Sequence, residues 1–125
     1  MLQLRDNLIF TSIVCAYQNK ILTVDHVLID TGSASTILAM EAVEEIGVMP
    51  EPDDTLHIIR GVGGSELVFV KQLDYLQLNH QKLFNFKVEI GEMDYGFHIN
   101  GILGMDFLLE SKAILDLNKL EIHFS

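Results

Sequence analysis

A carboxylic acid followed by turn-forming residues stands at the end of an apolar run. Asp30 is followed by Thr31, Gly32 and Ser33, and residues 27–29 before it are Val, Leu and Ile. These residue types predict that a strand ends at Asp30 and that its side chain enters a turn lined by backbone N–H groups and two hydroxyls. Such a turn can hold a carboxylate charged or let it share a proton, as general acid–base catalysis requires. An ordinary structural turn is the alternative that so short a motif leaves open.

The segments on either side of this motif predict the elements that position it. Residues 8–17 and 21–29 are apolar and are separated by turn formers, which predicts a hairpin whose second strand leads into Asp30. From 36 to 46 apolar residues recur at helical spacing, and Gly47 follows. This pattern predicts the one long helix of the chain, ended by the glycine.

A glycine-rich segment separates two further strand-like runs, 56–60 and 66–70. We expect a hairpin with a tip that lifts for a ligand to enter and then closes over it, because glycine accepts backbone angles that other residues avoid. A tight turn without motion is the alternative, and the residue at the tip is left open. The residues of this tip are Gly61, Val62, Gly63 and Gly64.

The rest of the chain also predicts short strands. Residues 73–78 and 83–90 flank a turn, and 83–90 alternates as a half-buried strand does. A short helix over 106–111 and a closing hairpin of 113–117 and 120–124 follow. One face of the alternating strand is expected to carry Phe84, Phe86, Val88 and Ile90. Many short strands with turns at close intervals predict an all-β domain, closed or sandwiched.

Size and composition set limits on organisation and partners. The 125 residues suit a single domain, 1–125, and the mean hydropathy of +0.29 suggests apolar surface buried between subunits. A net charge of −10 disfavours nucleic acid and anionic membranes as partners. The lone Cys15 and the lack of a visible leader or membrane anchor lead us to expect a cytoplasmic protein.

Other chemistries find little support in the sequence. The glycine cluster lacks the Lys-Ser/Thr ending of a phosphate loop, and the five histidines are too far apart for a compact metal site, so we expect neither metal nor cofactor. Cys15 lies in an apolar run, where a thiol is a core residue rather than a nucleophile. Asp106 is expected to cap the short helix or to anchor the neighbouring loop.

A second motif supports the Asp30 motif. Ile102, Leu103 and Gly104 follow the glycine-rich segment and precede the short helix. The order of acidic loop, helix, glycine-rich hairpin and Ile-Leu-Gly strand resembles the retropepsin family of aspartic proteases. The resemblance covers nearly the whole chain and is most specific over residues 27–35 and 102–108.

The resemblance implies an all-β, closed acid-protease barrel with one main helix and a short C-terminal helix. It implies that Asp30 is catalytic, that the Thr31 hydroxyl reaches across a dimer, and that Gly32 lets the backbone approach the substrate. It further implies a set of substrate-binding residues: Ser33, Ala34, Gly61, Val62, Gly63, Gly64, Ile102, Leu103 and Gly104.

The mechanism of this family requires two carboxyl groups that share one proton. Of the nine aspartates, Asp30 alone is followed by Thr-Gly or Ser-Gly, so one chain holds half a site. A symmetric homodimer that hydrolyses extended peptides is the simplest completion. The alternatives are a peptide-binding or scaffolding module that has lost turnover, and a β domain used for oligomerisation alone.

Ser33 differs from the alanine that many retroviral members carry at this place. If its hydroxyl bonds the charged Asp30 carboxylate, it favours ionisation and shifts the activity optimum toward acid. The alternative is that the hydroxyl satisfies the backbone of the turn.

Overall fold

Short strands account for most of the regular structure in the computed structural model, which describes residues 2–61, 64–93 and 97–125. The strands are β1 (Gln3–Arg5), β2 (Leu8–Tyr17), β3 (Lys20–Ile29), β4 (Ile37–Ala39), β5 (Leu56–Gly61), β6 (Gly64–Gln72), β7 (Tyr75–Leu78), β8 (Gln81–Phe84), β9 (Lys87–Gly91), β10 (Gly101–Leu103), β11 (Ala113–Asp116) and β12 (Glu121–Phe124). The helices are α1 (Met40–Val43), a 3-10 turn (Glu44–Ile46) and α2 (Met105–Glu110). The predicted all-β class is confirmed.

Ten strands form one sheet, paired in the order β5-β6-β9-β4-β10-β3-β2-β7-β8, with β1 added to β2. Two pairs in the middle of this order are parallel, β4 with β9 and β10 with β3. Within the described ranges the pairing follows a path with two ends, β5 and β8. The hairpin of β11 and β12 forms a separate two-stranded sheet. The parallel pairs bring the carboxyl ends of β3 and β10 to the same edge.

Both faces of the central strands are buried, each in a different apolar cluster. In β3, Val27 and Ile29 belong to the main core, whereas Leu28 belongs to a smaller cluster. In β10, Leu103 belongs to the main core and Ile102 to the smaller cluster. Alternation along a strand explains this division. We call the smaller cluster the minor core; its buried members are Phe10, Leu28, Ile37, Ala39, Met93, Ile99 and Ile102.

The prediction of one long helix over 36–46 is wrong for the first half of this range. Residues Ile37–Ala39 form β4, which pairs with β10 on one side and β9 on the other, and the helix covers only Met40–Val43. Pairing on both sides and burial on both faces override the helical spacing of the apolar residues. The predicted end is confirmed, since Gly47 follows the 3-10 turn with φ of 87°.

The single strand predicted over 83–90 is also wrong, because the chain breaks between β8 and β9. Asn85 has φ of 55°, and its backbone N–H donates to the carbonyl of Asp74 at 2.9 Å. The break turns Phe84 outward, with 66% of its surface exposed, while Phe86 stays buried. Phe84 therefore does not share a buried face with Phe86, Val88 and Ile90.

The remaining elements follow the sequence-based expectations. β2 and β3 form the first hairpin, β5 and β6 the glycine-rich hairpin, and β11 and β12 the last one. The short helix predicted over 106–111 is α2. None of the helices in the described part of the chain has the length and apolar character that crossing a membrane requires.

Candidate active site

Asp30 lies at the edge where β3 and β10 end side by side. Ile29 pairs with Leu103, and the backbone N–H of Asp30 donates to the carbonyl of Leu103 at 3.0 Å. The side chain of Leu103 is fully buried in the main core, so the carbonyl that holds Asp30 is fixed. The Ile-Leu-Gly strand therefore braces the end of the Asp30 strand.

The turn after Asp30 directs its carboxylate. The backbone N–H of Gly32 donates to Asp30 Oδ1 at 2.8 Å, and the N–H of Ser33 donates to the Asp30 carbonyl at 3.2 Å. A Cβ at position 32 would lie 3.1 Å from that Oδ1, so a larger residue would crowd the carboxylate. Asp30 is partly buried, whereas Thr31 and Gly32 are exposed. The turn thus presents one oriented carboxyl group beside an open backbone.

The hydroxyl of Ser33 forms a hydrogen bond within its own turn. It donates to the carbonyl of Ser35 at 2.8 Å. This contact is the backbone-satisfying role that was one of the two expected for Ser33. The other expectation, an acid shift of the activity optimum, has not been tested, and this geometry favours the backbone-satisfying role instead.

Residues 30–35, which we call the Asp30 loop, rest on the start of α2. The N–H of Met105 donates to the carbonyl of Ser33 at 2.8 Å, and the N–H of Asp106 donates to the carbonyl of Ala34 at 3.2 Å. A Cβ at Gly104 would lie 2.4 Å from the carbonyl oxygen of Ser35, far inside contact distance. Glycine is therefore required at position 104 for the loop to pack this closely.

Thr36 joins the end of the Asp30 loop to α2. Its N–H and Oγ1 donate to the two carboxylate oxygens of Asp106, at 3.0 and 2.7 Å. Its Oγ1 also accepts from the N–H of Gly104 at 3.0 Å. The expectation that Asp106 anchors the neighbouring loop is confirmed. Sequence reasoning did not identify Thr36 as its partner, because the two residues are 70 positions apart.

A part-buried contact also ties the loop to β9, the strand that pairs with β4. The Ser35 hydroxyl donates to the carboxylate of Glu89 in β9. The other oxygen of Glu89 lies 3.3 Å from Nδ1 of His57 in β5. The sequence had suggested only that Glu89 lies on the polar face of a strand, so neither contact was expected.

The glycine-rich hairpin stands on the same side as the minor core. Gly61 pairs with Gly64 at the end of the hairpin, and Ile59 packs against the minor core, which contains Ile102. Val62 and Gly63 lie outside the described residues. Among the predicted substrate-binding residues, Ser33 and Ala34 lie in the Asp30 loop, and Gly104 packs directly behind it. Ile102 lies in the minor core and Leu103 in the main core.

A buried lysine fastens the base of this hairpin. Lys71 in β6 is 5% exposed and lies 2.5 Å from Glu51 and 3.0 Å from Asp54. Burial by itself would lower the pKa of Lys71, but its bonds to the two carboxylates outweigh burial and raise that pKa. For Asp54, burial is outweighed by the bond to Lys71 and by the N–H of Glu51, so its pKa is lowered. Both shifts favour the charged pair.

A cavity in the described part of the chain lies away from Asp30. It has a volume of about 680 Å³ and lies between β3, α1 and the segment before β10. Its lining residues are Val24, Ala39, Met40, Glu41, Ala42, Glu44, Glu92, Met93, Phe97, His98, Ile99 and Asn100. Next to Asp30, Thr31 and Gly32 are exposed, so the turn that carries the carboxyl group forms an open face.

Cys15 does not belong to the site. Its side chain is fully buried in β2, and burial raises the pKa of the thiol to about 11. The thiolate form that a nucleophile needs is therefore disfavoured. The expectation that Cys15 is a core residue is confirmed.

Comparison with known proteins gives the same fold. The EIAV protease in complex with the inhibitor HBY-793 superposes with a TM-score of 0.62 at 20% identity, covering 86% of this chain and 91% of that one. A retropepsin-like aspartic protease from Rickettsia conorii superposes with a TM-score of 0.63 at 18% identity, covering 90% and 87%. No curated protein matches the sequence significantly.

The sequence itself carries a family signature. A family model described as aspartyl protease matches residues 17–107, which include the Asp30 loop, the glycine-rich hairpin and the Ile-Leu-Gly strand. This match spans well over half of the chain. The chain therefore belongs to the aspartyl protease family, and it has the fold of the retroviral and retropepsin-like proteases.

Proposed function

We propose that this protein is an aspartic endopeptidase that acts as a homodimer, with one Asp30 carboxyl group from each subunit. The observation that carries the proposal is the Asp30 loop itself. The carboxylate is oriented by the Gly32 N–H at 2.8 Å, and the loop is braced from behind by Gly104 and by Thr36 with Asp106. A rigid carboxyl group at an open face is what a shared two-carboxyl site needs from each half.

The chemistry follows from two carboxyl groups that share one proton. The ionised carboxylate takes a proton from the attacking water while the neutral carboxylic acid donates a hydrogen bond to the peptide carbonyl. Neither a covalent intermediate nor a cofactor is required. Because each chain has one Asp-Thr-Gly motif, a two-fold axis near Asp30 supplies the second group. In this arrangement the exposed Thr31 hydroxyl contacts the partner subunit.

The substrate is an extended peptide held between the Asp30 loop and the glycine-rich hairpin. Such a peptide bonds to exposed backbone as an added strand does. The exposed backbone of Gly32 and Ala34 offers these hydrogen bonds on one side of the peptide. On the other side, the end of the glycine-rich hairpin covers the peptide with Gly61, Val62, Gly63 and Gly64. The minor core, with Ile102, provides an apolar floor for side chains.

We further propose that residues 1–125 act as one cytoplasmic domain. The buried, free thiol of Cys15 suits a reducing compartment. The net charge of −10 argues against nucleic acid and anionic membranes as partners.

The test is a peptide library incubated with the wild-type protein and with the Asp30→Asn variant from about pH 3 to pH 8. The proposal predicts cleavage by the wild-type dimer and loss of turnover in the variant by a factor of about a thousand or more, with fold and dimer intact. Cleavage that persists in the variant contradicts the assignment of Asp30. Peptide binding without cleavage by the wild-type protein would instead indicate a scaffolding module.

A further inference from the structure

The carboxylate of Glu89 lies between the Asp30 loop and the glycine-rich hairpin. One oxygen accepts from the hydroxyl of Ser35, and the other lies 3.3 Å from Nδ1 of His57. The backbone N–H of Glu89 donates to the carbonyl of Thr36 at 3.0 Å, so the strand that carries it is also fixed to the end of the loop. The Glu89 side chain is 13% exposed, which is low for a carboxylate.

The contact between Glu89 and His57 matters because of where His57 lies in the glycine-rich hairpin. β6 pairs with β9 from Gln72 up to Phe69, and beyond that point the hairpin continues without β9. His57 faces Val68, one pair further toward the hairpin end. The contact with Glu89 therefore joins the first part of the hairpin beyond its pairing with β9 to the rigid sheet.

We propose that Glu89 is a positioning residue of the peptidase, one that couples closure of the glycine-rich hairpin to the geometry of the Asp30 loop. This inference rests on the proposed function. When the hairpin lies over a peptide, His57 contacts one oxygen of Glu89 while the other oxygen holds Ser35 in place. The carbonyl of Ser35 accepts a hydrogen bond from the Ser33 hydroxyl, so the restraint on Ser35 extends to the turn beside Asp30.

The two contacts make different demands on the Glu89 side chain. The bond from Ser35 needs only an acceptor oxygen, whereas an ion pair with His57 needs the charge of the carboxylate. Two other charged residues share faces with this pair. Glu66 lies on the His57 face of the hairpin, and Lys87 lies two residues before Glu89 in β9.

The experiment compares kcat and KM of wild type, Glu89→Ala, Glu89→Gln and His57→Gln on one cleaved peptide at pH 5. For Glu89→Ala we expect kcat/KM to fall about tenfold or more, mainly through kcat, because the charged acceptor that holds Ser35 in the Asp30 loop is lost. For His57→Gln we expect KM to rise about two- to fivefold, because the contact that holds the hairpin to Glu89 is lost.

Glu89→Gln separates the two contacts because its amide oxygen still accepts from Ser35. It should restore kcat to within about threefold of wild type yet show the same altered KM at pH 5 as His57→Gln. The matched control is the Glu121 and His123 pair in the separate two-stranded sheet, 3.9 Å apart and distant in the fold. Glu121→Ala should leave both kinetic constants unchanged. A folded Glu89→Ala dimer with wild-type kcat/KM, or a folded His57→Gln variant with wild-type KM, overturns the inference.

Hydrogen exchange supplies a readout that does not depend on turnover. Amides of β5 should exchange about two- to tenfold faster in Glu89→Ala and in His57→Gln than in wild type at pH 5, with β2 and β3 unchanged. If the wild-type protein cleaves no peptide while β5 responds in this way, the coupling stands and the proposed function fails. If the protein cleaves peptides and β5 does not respond, the proposed function stands and the coupling fails.

Discussion

Gly104 shows how closely the Asp30 loop is packed from behind. A methyl group at this position would meet the Ser35 carbonyl at 2.4 Å and the Ser33 carbonyl at 2.9 Å, both of them backbone atoms that cannot rotate away. Any larger residue must therefore displace the loop. Since the loop sets the direction of the Asp30 carboxylate, packing and catalysis depend on the same contact.

We expect Gly104→Ala to destabilise the fold by about 1–3 kcal/mol, as overpacking of a tight site does. It should also reduce kcat/KM by about a hundredfold, because a displacement of the catalytic group by about 1 Å has effects of that size. Urea denaturation and peptide cleavage measure the two effects. The matched control is Gly47→Ala, which is strained by its φ of 87° but has no atom nearby and lies outside the Asp30 loop. Equal activity of the two variants would contradict the role of Gly104.

Ser33 allows a test of what its hydroxyl does. Because the hydroxyl donates to the Ser35 carbonyl at 2.8 Å, we expect Ser33→Ala to lower stability by about 0.5–1.5 kcal/mol and to leave the midpoints of the pH–rate profile unchanged. The measurement is kcat/KM across the acidic range for both proteins. A shift of the acidic midpoint toward higher pH in the variant would show that the hydroxyl acts on the Asp30 carboxylate instead.

The sequence identified the centre of the site but not its supports. Asp30, Gly32 and Gly104 could be predicted because the short motifs that contain them have a local reason for each residue type. Thr36, Glu89 and His57 could not, because their contacts join segments 70, 54 and 32 positions apart. A polar residue in a strand looks the same in sequence whether it faces water or a buried hydroxyl.

Among the strands and helices, β4 shows why local patterns misled. Its apolar spacing fits a helix, but the two neighbours that pair with it, β9 and β10, lie more than 50 residues away in sequence. The hairpins were predictable since each strand pairs with its sequence neighbour across a turn. The break between β8 and β9 was not, because it depends on a positive φ at one residue, Asn85.

Lys71 in β6 holds the loop before β5 through its contacts with Glu51 and Asp54. The pKa shifts of Lys71 and Asp54 define the pH range over which this attachment stabilises the fold. The lowered pKa of Asp54 means that the carboxylate stabilises the fold above its ordinary pKa of 3.8 and loses this effect as pH falls through the lowered value. The raised pKa of Lys71 means that its contribution is present below 10.5 and is lost as pH rises above it. Lys71 and Asp54 therefore hold the base of the hairpin at pH values between these two limits.

We expect Asp54→Asn to lower the urea midpoint at pH 6 and to match wild type as pH falls well below 3.8, where both side chains are neutral. The exposed Asp53→Asn variant is the control, since no charged partner of Asp53 lies among the described contacts. Denaturation curves at pH 6, 4 and 2.5 make the comparison. A difference that grows toward acid would contradict the sign of the Asp54 shift.

For the molecule as a whole, the family assignment and the open face around Asp30 lead to one requirement. A single subunit holds one oriented carboxyl group, and the proposed hydrolysis needs two within reach of one water molecule. The composition also predicted that two chains associate, since the apolar content is high for so small a chain. The fold class could be predicted from the order of motifs, but the surfaces that meet between subunits could not, because exposed apolar residues are spread over several elements.

The separation of the two Asp30 carboxyl groups in a crystal of the purified protein tests the central claim most directly. The account predicts a two-fold symmetric dimer in which oxygens of the two groups approach to about 3 Å, close enough to share a proton. A monomer, or a dimer that keeps the two groups too far apart for one water molecule to touch both, would contradict it.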